Sequence, residues 1–249
     1  MRNKEVSYIT LFKDVLPALL ITALPILVFA IENIGGFKWY MYGIEPRTIK
    51  GLRGVLFSPF LHGDLKHIAS NSIPLFVLTW LIRLHFKEIW KLVFAFIWLA
   101  SGVWTWIMGG GHYVIGSSGI VYGLASFAIT AGFISKNRQA QGIGLFTLFF
   151  YGSLIWGIFP LEFNIGISWQ GHLSGFIAGI LAALVLQPGM PEKTKYSWEN
   201  EPEEEIPYED QYWRLDYKPK EEDDTVLNAP IIRVNYILKE EKNEDKTAN

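Results

Sequence analysis

The stretch VIGSSGIVYGLASFAITAGFI, Val114 to Ile134, decides how this chain is read. It is long and apolar enough to cross the hydrocarbon core of a bilayer, which takes about 20 helical residues. Yet it opens on a polar pair, Ser117 and Ser118, flanked by Gly116 and Gly119. A serine at membrane depth can bond to carbonyls of its own helix, so the hydroxyl alone requires no function. A second apolar run, Ser168 to Gln187, changes the reading because it contains His172. Ionisable groups in such segments are rare, face the protein interior and are functional candidates by default. A hydroxyl and an imidazole, each inside a hydrophobic segment, point to hydrolysis within a membrane.

Four more segments of spanning length lie around these two: Leu16–Ile34, His67–Leu84, Leu92–Met108 and Gly142–Phe159. The expected fold is an all-α membrane protein, a six-transmembrane helical bundle. The first segment follows basic residues, as a signal peptide would, but it runs on to Glu32 without a small-x-small cleavage pattern and reads as a retained helix. With the N-terminus inside, ten Lys and Arg side chains fall on the inner side. Five fall outside, namely Lys38, Arg47, Lys50, Arg53 and Lys66, all in the first loop. The excess favours both termini in the cytoplasm. The first loop is rich in aromatic residues, Gly and Pro, too apolar for disorder, and is expected to fold against or into the bilayer surface.

Composition agrees with a membrane protein: half the residues are hydrophobic and 15 % aromatic. The net charge of −2 hides two regions of opposite character, +6 over residues 1–190 and −8 over residues 191–249. The first is read as the transmembrane domain and the second as a soluble acidic cytoplasmic tail. Prolines between acidic runs favour disorder in the tail, whereas Trp198, Tyr208, Tyr212, Trp213 and Tyr217 favour docking or folding on a partner. With no cysteine, disulfide and thiolate chemistry are excluded. No Walker-type or Rossmann glycine pattern and no basic cluster suited to nucleic acid occur, so no cofactor and no nucleic-acid partner are expected. His62 and His67 are five residues apart, not the i, i+4 pair of a zinc helix, so no metal site is expected either.

In this topology Ser118 lies about one turn into the fourth helix and His172 about one turn into the sixth, at similar shallow depth below the outer surface. Gly119 and Gly123 form a small-residue face on one helix. Gly175 and Gly179 share a face with His172 on the other. Such faces also arise from packing alone. Tyr122, one turn after Ser118, can pack beside the imidazole. At the start of the second helix, His67 and Asn71 share a face. They read either as oxyanion donors or as a cap with a structural hydrogen bond. No Asp or Glu occurs in the last three helices, which favours a dyad over a triad. Bulky aromatics near the end of the fifth helix (Phe149, Phe150, Tyr151, Trp156, Phe159) read either as one side of a lateral gate closing on Phe76 and Trp80, or as lipid-facing anchors. Pro160 to Gln170, above His172, could serve as a lid.

Taken in order, Arg53 with Ser58-Pro59-Phe60-Leu61-His62, then His67 and Asn71, then Gly116-Ser117-Ser118-Gly119 with Tyr122, then Gly171-His172 with Gly175 and Gly179, the chain resembles the rhomboid intramembrane serine proteases. The resemblance implies Ser118 as nucleophile and His172 as general base, with His67, Asn71 and the Ser118 backbone N–H as the oxyanion hole. It implies structural support from Arg53, His62, Gly116, Gly119, Tyr122, Gly175 and Gly179. It further implies single-span transmembrane proteins as substrates, cut near the outer membrane surface, and a bacterial cytoplasmic membrane is the expected home. The family's first loop often carries Trp-Arg where this chain has Leu52-Arg53, a departure that bears on lipid contact and not on chemistry. A catalytically inactive relative that binds and routes membrane proteins is the alternative, against which the retention of all four polar residues argues. A transporter would instead predict an internal repeat, and none is found.

Overall fold

The computed structural model of the protein describes residues 8–161 and 168–186. Everything below belongs to one compact unit, residues 1–195. The tail expected over residues 191–249 and most of the expected lid lie outside the described residues.

Among the described residues every named element is a helix, and the one β pairing is an isolated bridge. Six long helices follow one another: α1 (Tyr8–Gly35), α3 (Leu65–His85), α4 (Trp90–Met108), α5 (Ser118–Ile134), α6 (Arg138–Tyr151) and α7 (Trp169–Val185), with a single-turn α2 (Gly54–Phe57) in the first loop. By length and composition, four helical stretches can cross a membrane: Phe12–Gly35, Leu65–His85, Trp90–Met108 and Arg138–Ile158, the last being α6 continued by a 3-10 segment. Ser118–Ile134 and Trp169–Val185 are equally apolar in character but shorter.

Local sequence accounts for the ends. Asp64 caps α3, its carboxylate accepting the His67 N–H at 2.8 Å. Asn137 caps α6 by accepting from Gln139 and Ala140, and Ser168 caps α7 by accepting from Gly171. Each side-chain oxygen satisfies first-turn N–H groups that no helical carbonyl can reach. Pro17, Pro25 and Pro74 lie inside helices, as transmembrane helices tolerate.

Helix α6 starts at Arg138 and gives way to the 3-10 segment after Tyr151, where one helix was expected over Gly142–Phe159. Helix α1 starts at Tyr8, ahead of the expected Leu16. The boundary that bears on the site is another. Helix α5 begins at Ser118 itself, not a turn earlier. In the strap before it, Val114 pairs antiparallel with Ile44 and the chain bends at Gly116 and Ser117. At Gly116, φ is +110°, where only glycine is comfortable, and its N–H donates to Ser58 O. Tertiary bonds to the first loop thus keep the apolar run from starting its helix at Val114.

The first loop is three 3-10 turns around α2, packed against α4. Trp98 and Trp106 of α4 donate their indole N–H groups to Val55 O and Thr48 O, and Arg47 donates to Ile107 O and Gly109 O. Gly102 on α4 leaves room for Val55, where a Cβ would come within 2.9 Å.

The core gathers Leu75, Leu78, Ile82, Val93, Ile97, Leu124 and Phe127 between α3, α4 and α5. The most extensive helix pair is α5 with α7. There the seam is backbone on backbone: a Cβ on Gly175 would collide with Gly119 O, and one on Gly179 with Gly123 O. Lipid offers no hydrophobic drive for helices to associate, so close approach through small residues takes its place. At the other end of the bundle, Asp14 of α1 is buried between Arg83 (3.3 Å) and Lys87 (3.5 Å).

Candidate active site

The glycine seam sets the first residue of α5 against the first turn of α7. His172 Nε2 stands 2.9 Å from Ser118 Oγ. The other ring nitrogen, Nδ1, stands 3.0 Å from the carbonyl oxygen of Gly157. A carbonyl can only accept, so Nδ1 carries the proton. Nε2 of the neutral ring is then bare and accepts the Ser118 O–H. Tyr122 lies flat on the imidazole, with ring centroids 4.1 Å apart and planes within 12°. The ring is thus fixed by a bond at one nitrogen and a stacked face, with no carboxylate involved.

Gly157 was not singled out by sequence reasoning. It lies in the 3-10 segment Gly152–Ile158 that continues α6. A side chain there would strike Tyr122 Oη and come within 3.1 Å of His172 Nδ1. Its one detectable signal was the glycine itself in an aromatic run.

On the other side of Ser118, the strap before it brings Gly116 against α3. A Cβ on Gly116 would lie 2.6 Å from His67 Nε2 and 3.5 Å from Asn71 Nδ2. The missing side chain therefore leaves both donors facing the backbone that leads into Ser118. The Ser118 N–H is in the first turn of α5, where helical carbonyls cannot reach it. His62 sits behind this group and is buried. Its Nε2 is 3.1 Å from Asn71 Nδ2 and accepts the Ser117 N–H at 3.4 Å, and its ring meets His67 edge-on at 4.8 Å. Burial first, and the neighbouring His67 second, push the His62 imidazole down to about 4, so it stays a neutral acceptor and orients the Asn71 amide. A cavity of about 30 Å³ beside Ser118, with Ser101, Thr105 and Ser168 in its wall, has room for a water.

Eight of the sequence candidates therefore meet here: Ser118, His172, Tyr122, His67, Asn71, His62, Gly116 and Gly119. Gly175 and Gly179 form the seam beneath. Arg53 is elsewhere: its Nη2 donates to Met41 O and its guanidinium lies 4.4 Å over the Tyr42 ring, inside the first loop. Phe149, Phe150 and Trp156 are more than half exposed on the outside of the bundle, and Phe76 stacks on Trp80 within α3.

Known proteins resemble this chain in sequence. The chain is 37 % identical over 171 residues to an uncharacterized protein of Mycobacterium tuberculosis, covering 66 % of this chain and 71 % of the relative. A counterpart in Mycobacterium leprae is 35 % identical over 171 residues, covering 66 % and 68 %. A protein of Acanthamoeba polyphaga mimivirus that carries a rhomboid designation is 28 % identical over 131 residues, covering 51 % and 70 %. The rhomboid domain model matches residues 50–189, more than half of the chain and the span that contains every residue of the site. The chain belongs to the rhomboid family.

Proposed function

We propose that this protein is an intramembrane serine endopeptidase that cleaves membrane proteins through Ser118 and His172. The observation that carries the reading is the Ser118 Oγ to His172 Nε2 approach of 2.9 Å, with Nδ1 held by Gly157 O. A serine hydroxyl needs an adjacent base. Here His172 takes the proton as Oγ attacks the scissile carbonyl, then delivers it to the leaving amine. The oxyanion of the tetrahedral intermediate takes hydrogen bonds from the Ser118 N–H, His67 Nε2 and Asn71 Nδ2, strongest as negative charge develops. Water, activated by the same imidazole, then hydrolyses the acyl-enzyme.

The six long helices act as six spans with both termini in the cytoplasm, and the first loop is embedded in the outer leaflet. Residues 1–190 serve as the protease domain and residues 191–249 as a cytoplasmic tail. Helices α5 and α7, of 17 residues each, are about 26 Å long, short of a core about 30 Å thick. With their inner ends at the inner boundary, Ser118 and His172 lie below the outer boundary, in a recess open to water. Substrates are single-span proteins cut near the outer surface, and the mycobacterial relatives favour a bacterial membrane.

The test is labelling of the purified protein by a fluorophosphonate, together with cleavage of a tagged single-span substrate. Ser118→Ala and His172→Ala should each abolish cleavage, and the double variant should be no worse than either, as for residues acting as a unit. Substantial cleavage by folded Ser118→Ala protein would refute the mechanism and leave the inactive binder as the better reading.

A further inference from the structure

Helices α5 and α6 meet main chain to main chain away from the candidate active site: a Cβ on Gly132 would come within 2.9 Å of Gly144 Cα. About two turns nearer the site, α5 turns the small residues Ala125 and Ser126 toward α6 and a gap remains. It is a cavity of about 270 Å³ between α5, α6 with its 3-10 continuation, and Phe176 of α7. Its wall is mostly apolar and no charged side chain lines it. The Ser126 hydroxyl is spent on Phe176 O at 2.8 Å. Apolar cavities of only about 150 Å³ stay dry and take up apolar molecules.

The cavity has a floor and a mouth. Tyr122, Ala125 and Ser126 line it and are at most 6 % exposed, whereas Leu148 and Ile155 line it and are 44 % and 37 % exposed. It therefore opens on the outside of the bundle beside Leu148 and Ile155 and ends at Tyr122. Tyr122 is the ring that lies on the His172 imidazole. Ile155 belongs to the 3-10 segment whose Gly157 carbonyl holds His172 Nδ1. Both supports of the imidazole thus border one void. Along α5, the lining residues Tyr122 and Thr130 lie about 6 and 18 Å from Ser118, at ~1.5 Å per residue. In the orientation proposed above, that depth is hydrocarbon throughout.

We infer that the cavity is a binding site for one acyl chain of an outer-leaflet lipid, whose tip rests against Tyr122 and braces it on the imidazole. A gap that opens on hydrocarbon is filled from that phase, and a mouth of Leu and Ile with no charge beside it suits a chain and not a headgroup. Left empty, the void would deprive its lining of dispersion contacts on one side, and Tyr122 would have room to leave the ring face. The site rests on the membrane orientation proposed above, not on proteolysis.

The experiment reconstitutes the full chain in phosphatidylcholine bilayers that contain a phosphatidylcholine with a photoactivatable diazirine on one acyl chain, and maps the adducts by mass spectrometry. Adducts should fall on Tyr122 or Ala125 at the floor as well as on Leu148 and Ile155. In Ala125→Phe, which fills the floor, the Tyr122 adducts should disappear and those on Leu148 should remain. The wild-type map needs no variant to fold. Adducts confined to the mouth overturn the proposal and leave the cavity to a side chain of a partner helix; Tyr122 adducts that persist in Ala125→Phe overturn it too. A second arm reads the brace. Fluorophosphonate labelling of wild type in a short-chain detergent should rise roughly two- to tenfold when long-chain phosphatidylcholine is added, the worth of one aromatic stack. Labelling of Ala125→Phe should not change. A wild-type labelling rate that ignores lipid overturns the brace. The adduct map needs no reactive serine, so a failure of the protease reading would show as absent labelling with the floor adducts intact.

Discussion

Gly157→Ala isolates what orients the imidazole. The backbone at Gly157 is not in the left-handed region, so alanine brings no conformational strain and the effect is steric. Its Cβ would strike Tyr122 Oη and approach His172 Nδ1 to 3.1 Å. Either the 3-10 segment shifts and the 3.0 Å bond to Nδ1 lengthens, or Tyr122 leaves the ring face. In the first case a buried N–H loses its acceptor and the tautomer with a bare Nε2 loses its advantage; in the second the ring loses its stacked face. An unsatisfied buried donor costs about 1–3 kcal/mol. At about 1.4 kcal/mol per tenfold, that is roughly a 5- to 150-fold fall in the rate at which a fluorophosphonate labels Ser118. Gly152→Ala, in the same segment, meets only Leu148 Cδ1 at an ordinary 3.5 Å and should label normally. The deficit should vanish in a His172→Ala background, since the two residues act through one ring. An unchanged rate in folded Gly157→Ala protein, or the same deficit without His172, would refute this account.

Other perturbations test other parts of the structure. His67→Ala and Asn71→Ala should each lower kcat by on the order of 10–10³-fold with little change in KM, because oxyanion donors act mainly in the transition state. Wild-type kcat in both would return that pair to a cap with a structural bond. The natural chain has no cysteine, so single substitutions report topology cleanly. Lys38→Cys should react with a membrane-impermeant maleimide from outside intact cells, and Lys87→Cys only after lysis; the reverse pattern would invert the orientation. Trp156→Ala or Phe159→Ala should raise cleavage of a membrane-embedded substrate with little change for a short soluble peptide if these aromatics gate lateral entry. Equal effects on both substrates would make them lipid anchors.

The long helices were legible because bilayer thickness imposes a length on any spanning segment, and Leu92–Met108 came within two residues of α4 (Trp90–Met108). The start of α5 was not. What stops the helix short of Val114 is a bridge to Ile44 and a bond to Ser58 O, partners 70 and 58 residues away along the chain that no local pattern announces. The first loop was recognisable as ordered from its aromatics, but its turns hang on the indoles of Trp98 and Trp106, whose targets are backbone carbonyls. The same limit hid Gly157. Side chains advertise their chemistry by type, whereas every residue owns a carbonyl, so a backbone acceptor has no letter in the sequence. Ser118, His172, His67 and Asn71 stood out for the opposite reason, being polar where lipid disfavours polarity.

The seam between α5 and α7 has a mechanical consequence. Most helix pairs meet through side chains, which act as springs: a rotamer change or a different methyl group can move the helices by fractions of an ångström. Here the abutting parts are Gly119, Gly123, Gly175 and Gly179 against one another's main chain, and peptide planes have no rotamers. The spacing of Ser118 and His172 is therefore set by covalent geometry, as in a ruler, and bilayer tension or a bulky substrate has little leverage on it. Adjustability is left to the softer surroundings, the 3-10 segment behind the imidazole and the strap before the serine.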